Sequence, residues 1–492
     1  MYNNNLIELL KTFSIKEVKE FREFLNSAYF NKRRAVNKLY EIIIKFHPDF
    51  ESKSFTKQKV FERLFPGKKY SDGSLRVSIH YLTELAEKFL AFQSFESNEH
   101  EFSIQLESVL VARNQNKLFE KNMNKAFGNL DKSDIDAEDF YFYKFRLESQ
   151  LTFFKFSSSY AYLDKVISKL DYDNVFKKLT HFYQLKSMHM YLNTLNLQLL
   201  YNKEFNCASF KSLISKMKPE DYEDIPVIKM YYYLIKMKTG AEHESYYFKL
   251  KEILLLNKKI FNKYDLIVAY VQMGGYCIAR ILKGDMIFER ERFELYKEEI
   301  AQKTYLINDN MSPLFYRNVV LSAITLKEFD WVKEFIHTYK SKLSKKYREN
   351  YFYYCLAIYE FNMKNFEYSL ELISKIKYDE IYMKLKSKIL HLQLLYELGF
   401  EDSLADSQES FRHFLNNNKL ISPERQFSFI NFHKYLNRIT LLKNKKDIVE
   451  LEQMRLQLKE ETKIVNKDWL LEKTDNIHSS LRSKKRQLQT LT

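Results

Sequence analysis

Asn365-Phe366-Glu367-Tyr368-Ser369-Leu370 and Gly399-Phe400-Glu401-Asp402-Ser403-Leu404 are near copies whose phenylalanines stand 34 positions apart. A weaker third copy, Glu328-Phe329-Asp330-Trp331-Val332, has its phenylalanine 37 positions before the first. Each copy follows a long run with apolar residues at helical spacing and opens a second such run. The pattern predicts a helix, a tight turn and a helix, repeated. A hairpin of that size cannot close its own apolar face, so the copies must stack and bury one another. The expected fold class is all-α: an α-solenoid of antiparallel helix pairs with a helical N-terminal domain.

Turn chemistry excludes the alternatives. The chain has 8 Gly and 6 Pro in 492 residues, where average usage would give about 60 of the two together. Sandwiches, barrels and doubly wound sheets need such residues at most strand ends. Helix pairs need only short connections closed by Asn, Lys or Asp. The pairs are expected at 174–217, 221–257, 262–303, 312–343, 347–377, 379–417 and 421–465. Breaks fall at Asn202-Lys203, Pro219, Thr239-Gly240, Gly284-Asp285, Asn308–Pro313, Lys364-Asn365, Gly399 and Pro423. This divides the chain into a basic N-terminal domain (1–95), an irregular helical connector (96–173), the repeats (174–465) and a capping segment with a basic tail (466–492). Gly274-Gly275, inside a helix, is expected to mark close helix contact. The 36 Tyr and 41 Phe recur beside Leu and Ile at helical spacing and read as core rings between stacked helices.

Residues 312–417 resemble tetratricopeptide-like repeats. The best match is 350–377: Leu356-Ala357 stand at the family's Leu-Gly pair, Phe366 at the aromatic after the turn and Ser369 at the small residue of the second helix. The family's early Trp and its helix-ending Pro are missing, and at 384–417 only Phe400 and Ser403 fit. The resemblance implies a concave groove, lined by the first helix of each pair, that takes a peptide or a partner helix. Its candidate residues are Tyr351, Tyr354, Lys384, Lys388 and Gln393. The segment Phe65-Pro66-Gly67-Lys68-Lys69, with Trp469 near the other end, also looks like an uncharacterised bacterial family of helical proteins, which carries no known activity.

The formal charge of +15 is uneven: residues 1–95 hold 17 Lys/Arg and 11 Asp/Glu, and 479–492 hold Arg482, Lys484, Lys485 and Arg486 with no acid. The N-terminal stretch opens with a capping box, Ser14-Ile-Lys-Glu17, and has a helix over about 33–46. A helix through 55–65, Pro66-Gly67, and a second helix of about 20 residues starting at Asp72 or Ser74 resemble a helix-turn-helix in outline. On that reading Arg76, Ser78 and His80 face the groove of DNA, while Lys57, Lys59, Arg63, Lys68 and Lys69 meet phosphates. The exposed face also carries Glu62, Glu84 and Glu87, which oppose it. The basic tail at 482–486 is expected to be a solvated, disordered end.

Motifs for chemistry are missing: no Gly-x-Ser-x-Gly, Walker loop, His-Glu-x-x-His or Cys-x-x-Cys occurs. Asp131, Asp134, Asp136, Glu138 and Asp139 cluster, but from Asp134 the sixth and twelfth positions of a calcium loop are Asp139 and Phe145, not Gly and Glu. Asp136 is instead expected to cap the helix through Tyr141 and Phe145. His181, His189 and His243 read as core or surface histidines. Cys207, Cys277 and Cys355, far apart on helices, read as buried thiols in a reducing compartment. No uninterrupted apolar run nears membrane-span length, and Met1-Tyr2-Asn3-Asn4-Asn5 lacks the basic region and apolar core expected of a signal peptide. The expectation is a non-enzymatic, cytoplasmic interaction scaffold without cofactor or metal, binding a protein or peptide. The alternative is a nucleic-acid-binding regulator that uses the N-terminal cations.

Overall fold

The computed structural model describes residues 4–158, 167, 170–201, 203–307, 309–377, 380–418, 423–445 and 447–489. The fold is all-α, 79% helix. Strand pairing among the described residues is limited to a two-residue ribbon, Leu306–Ile307 against Asn310–Met311, and a bridge from Met311 to Leu343. The chain forms two compact units, residues 1–265 and 266–492.

The N-terminal unit opens with α1 (Asn5–Lys11), α2 (Ile15–Asn26), α3 (Arg34–Ile43), α4 (Lys57–Leu64) and α5 (Asp72–Ser97). Ser14 starts α2 as expected: its hydroxyl accepts from the Glu17 amide and the Glu17 carboxylate accepts from the Ser14 amide. Ser71 caps α5, which is 26 residues long. A single core joins the five helices, with Phe13, Phe21, Phe24 and Phe89 in mutual ring contact.

Residues 96–173, expected to be an irregular connector, contain three regular helices, α6 (Glu99–Ala112), α7 (Asn116–Asp131) and α8 (Ala137–Ser158). They share a core of Ile104, Phe119, Met123, Leu130, Leu147 and Phe154. Their period is hidden because Phe140, Tyr141, Phe142 and Tyr143 run consecutively along α8. Asp136 caps α8 as expected, accepting from the Asp139 amide at 2.9 Å. α9 (Tyr172–Tyr201), α10 (Ala208–Lys216), α11 (Pro226–Thr239) and α12 (His243–Leu256) complete this unit.

The second unit holds successive pairs. After α13 (Lys263–Leu282) and α14 (Ile287–Ala301) come α15 (Pro313–Thr325) with α16 (Phe329–Tyr339), and α17 (Arg348–Asn362) with α18 (Phe366–Ser374). Next are α19 (Ile381–Leu398) with α20 (Glu401–Asn417), then α21 (Pro423–Lys445) with α22 (Ile448–Glu460), and last α23 (Lys467–Gln489). From α14 to α22 each helix packs on the next, and α15 also meets α17. The three repeated phenylalanines hold matching places: Phe329 and Phe366 open α16 and α18, and Phe400 immediately precedes α20. The expected breaks at Asn202 and Asn308 lie outside the described residues.

One local device closes six helices among the described residues. A residue with positive φ follows the helix, and the next amide donates back five residues to a helical carbonyl. The left-handed residues are Asn114, Gly284, Lys303, Lys327, Lys364 and Gly399. The bonds in the three repeated turns run from Glu328 to Ala323, Asn365 to Glu360 and Phe400 to Leu395, at 2.9, 2.9 and 3.0 Å. This satisfies carbonyls that a helix end would otherwise leave unpaired. A chain that places Lys or Asn in this position needs few glycines.

Two expectations fail. Gly274 and Gly275 mark no close contact: no heavy atom of the described residues lies within 4 Å of where a Cβ would stand on either. A glycine that admits a neighbour and one with open space beside it look alike in sequence. The tail is not an unstructured end either, because the backbone of 482–486 belongs to α23. The helix also continues past its last apolar anchors, Ile477 and Leu481. By length and composition α13 could cross a membrane, with a mean hydropathy of 1.3. Its Leu266, Ala269, Tyr270, Met273 and Cys277 are buried. All three cysteines are buried.

Two predictions follow from these local facts. Gly275→Ala in α13 and Lys364→Gly after α17 are opposite changes, and each is expected to raise stability by about 0.5–1 kcal/mol in urea denaturation. Glu107 on α6 is fully buried and neither of its oxygens has a hydrogen-bond partner. Burial pushes its carboxyl up from 4.5 to about 7. The folded state therefore holds the proton more tightly than the unfolded chain, so this stability is complete below 4.5 and lost as pH rises through 7. Glu107→Gln is expected to stabilise by up to about 3 kcal/mol at pH 8, with little gain at pH 4.5, as read from melting curves at the two pH values.

Candidate binding groove

The first helices of three successive pairs, α15, α17 and α19, wall two adjoining cavities in the second unit. One, of about 330 Å³, lies among Pro313, Leu314, Tyr347, Tyr351 and Met383. The other, of about 530 Å³, has Leu321, Ile358, Ile389 and Leu390 on the helices and Asn466, Asp468, Trp469 and Glu472 at the start of α23. Arg317, Tyr354 and Lys386 line both. The surface is apolar along the helices, with cations where the cavities meet and carboxylates at either side.

Arg317 is the only charged residue of α15. Its Nη2 donates to Asn318 Oδ1 at 3.0 Å, while its Nε is buried without a hydrogen-bond partner. Tyr351 donates to Glu380 at 3.1 Å. Burial holds the Tyr351 and Tyr354 hydroxyls well above the usual tyrosine range; Glu380 adds to this at Tyr351, and the Arg317 charge pulls both the other way. The groove thus presents a partly desolvated guanidinium among neutral phenols.

The residues expected from the sequence divide. Tyr351, Tyr354 and Gln393 line the cavities. All three are buried, and Gln393 accepts from Asn466 at 2.7 Å. Lys384 and Lys388 do not line them; both ammonium groups lie over the Phe414 ring of α20, at 5.2 and 5.6 Å. Lys384 and Lys388, one turn apart, share one face of α19, and Lys386, Leu390 and Gln393 share another, so residues close in sequence separate. Sequence reasoning missed Arg317 and Lys386, although a lone arginine in the otherwise uncharged run 313–325 was a usable signal.

α23 builds one wall of the larger cavity. Trp469 packs edge-on to Tyr396 and against Phe432, and its Nε1 donates to Glu397 at 2.7 Å. Lys473 pairs with the same carboxylate at 2.6 Å.

The N-terminal cations make a different surface. Lys57 and Arg76 both bind the Asp72 carboxylate, at 3.2 and 2.6 Å, and the bond from Lys57 holds that carboxyl below the usual range. Lys59, Arg63 and Lys69 are exposed, and Lys68 lies over the Phe65 ring. Ser78 does not face outward: it is buried and donates to the Ser74 carbonyl at 3.1 Å, because the core face of α5 through Leu75, Ile79 and Leu82 includes it. His80 stands at the surface, 3.6 Å from Glu84.

The acidic stretch borders a cavity of about 410 Å³ that includes Asp131, Asp134, Asp224 and Asp265. Asp265 accepts from Tyr231 at 2.8 Å and from the first amide of α8, at Ala137, and burial pushes its carboxyl up to about 6. Within the first unit it joins α8 to α11. His189 bonds to Glu138 at 2.7 Å with its ring edge-on to Tyr231, and burial pushes His181 down to about 4. Among the described residues no three His, Cys, Asp or Glu side chains are placed to hold a metal ion together.

Removing the Trp469 donor tests whether α23 is locked onto α19. Trp469→Phe keeps a ring and is expected to cost about 1–3 kcal/mol, as a hydrogen bond to a charged group does, read as a lower urea midpoint by circular dichroism. The chain matches no protein-family model, no curated protein and no solved structure.

Proposed function

We propose that the helix pairs of the second unit form a TPR-like α-solenoid, and that its groove is a non-enzymatic docking site for a segment of a partner protein. The segment sets an acidic side chain on Arg317, between Tyr354 and Lys386, and apolar side chains along Leu321, Ile358 and Leu390. One observation carries the reading: the cavities share an arginine whose Nε is buried and unpartnered. Native structures rarely leave such a group unsatisfied, and a carboxylate is the group a guanidinium fork fits best. The apolar walls supply area, and the arginine supplies selection.

A random-peptide display on the full chain tests it. Peptides carrying Asp or Glu beside apolar residues are expected to enrich. They are expected to lose about tenfold or more in affinity on Arg317→Glu, since a charge-assisted bond is worth about 1.5–3 kcal/mol. Lys384→Glu, outside the groove, is expected to leave affinity unchanged. No enrichment, or equal binding to Arg317→Glu, would overturn the proposal.

A further inference from the structure

The outward face of α9 is apolar where a surface helix is ordinarily polar. Tyr172, Phe176, Leu179, Tyr183, Met190 and Leu197 are exposed there by 61, 65, 38, 57, 51 and 43%. The opposite face, through Leu185, Met188, Tyr191 and Leu192, is already buried in the N-terminal unit. With Lys186 and Asn193, also exposed, the outer residues fall at steps of four and three along the helix. This is the two-position seam of a coiled coil, whose 3.5-residue period only a second helix can follow. One set of seam positions is Phe176, Tyr183, Met190 and Leu197; the other is Tyr172, Leu179, Lys186 and Asn193.

We infer that α9 pairs with α9 of a second copy of this chain, antiparallel. The polar members of the seam decide the occupant and its direction. A parallel pair would set Lys186 directly against Lys186 of the other copy. An antiparallel pair matches the first set of positions with the second. In the register that centres the seam, Tyr172 meets Leu197, Phe176 meets Asn193, Leu179 meets Met190 and Tyr183 meets Lys186. Every layer then contains a large apolar side chain, and each lysine, which already pairs with Glu138 at 2.7 Å, lies beside a tyrosine ring suited to a cation. The seam is self-complementary under a two-fold axis, as an isologous interface requires. Its six apolar side chains expose on the order of 600 Å² per copy, approaching the roughly 800 Å² per partner of a standard interface.

Sedimentation equilibrium and cysteine crosslinking of the full chain test this together. The wild type is expected at twice the 59.6 kDa chain mass at micromolar concentration. Leu179→Glu/Tyr183→Glu, at exposed positions, is expected at single mass with an unchanged helical spectrum. Leu179→Cys and Met190→Cys chains are expected to form a disulfide-linked dimer when mixed and none when oxidised separately. A monomeric wild type, a double variant that stays dimeric, or crosslinks from either cysteine variant alone would overturn the inference.

Discussion

The second unit depends on a backbone constraint: the last carbonyls of a helix must find donors within a turn short enough to bring the next helix back alongside. At Lys327, Lys364 and Gly399 a single residue in the left-handed region does this, and the returning amide reaches back five residues. Lysine is a costly choice there, by roughly 1 kcal/mol against glycine. The expense is tolerable because the turn keeps both helices within packing distance over their full length. The continuous core from Phe293 through Tyr316, Phe335 and Cys355 to Leu394 follows from that proximity.

Apolar packing alone would let one helix slide on another. Buried side-chain bonds to backbone fix the register instead. The Ser369 hydroxyl donates to the Ala357 carbonyl, Tyr316 donates to Ile336, and a ring nitrogen of His433 contacts the Gln408 carbonyl. Ser322 donates to Glu289 across neighbouring pairs. Each bond contributes about 1 kcal/mol when made, and a slip would strand a buried polar group at a cost of about 1–3 kcal/mol. These bonds therefore act more on uniqueness than on stability.

That division explains what could be read from the residues. Caps and turns are local, so Ser14, Asp136 and Gly399 were legible with their roles. Helix pairs were legible wherever one face was apolar and the other polar. Along α8 that contrast fails, because four consecutive aromatic residues occupy every face, and a regular helix looked irregular. Gly274 and Gly275 were misread because their meaning lies in what stands beside them. Two of the five expected groove residues lie outside the cavities for a similar reason: Lys384 and Lys388 share α19 with Gln393, but which side of α19 faces α17 is set by packing.

Arg317 and Glu107 show why an unsatisfied buried group is not by itself a site. Both keep polar atoms from water without a hydrogen-bond partner. Glu107 resolves its own conflict: a carboxyl can take a proton, become neutral and stay among apolar side chains at modest cost. A guanidinium cannot lose its charge in this way. Arg317 therefore keeps its charge, and it stands where two cavities open onto it, lined by tyrosine and apolar side chains. Glu107 is a stability cost that pH can relieve, whereas Arg317 keeps its charge at any pH the fold survives. That difference, a charge that cannot be discharged beside space that can be filled, separates the groove from every other buried polar residue described in the molecule.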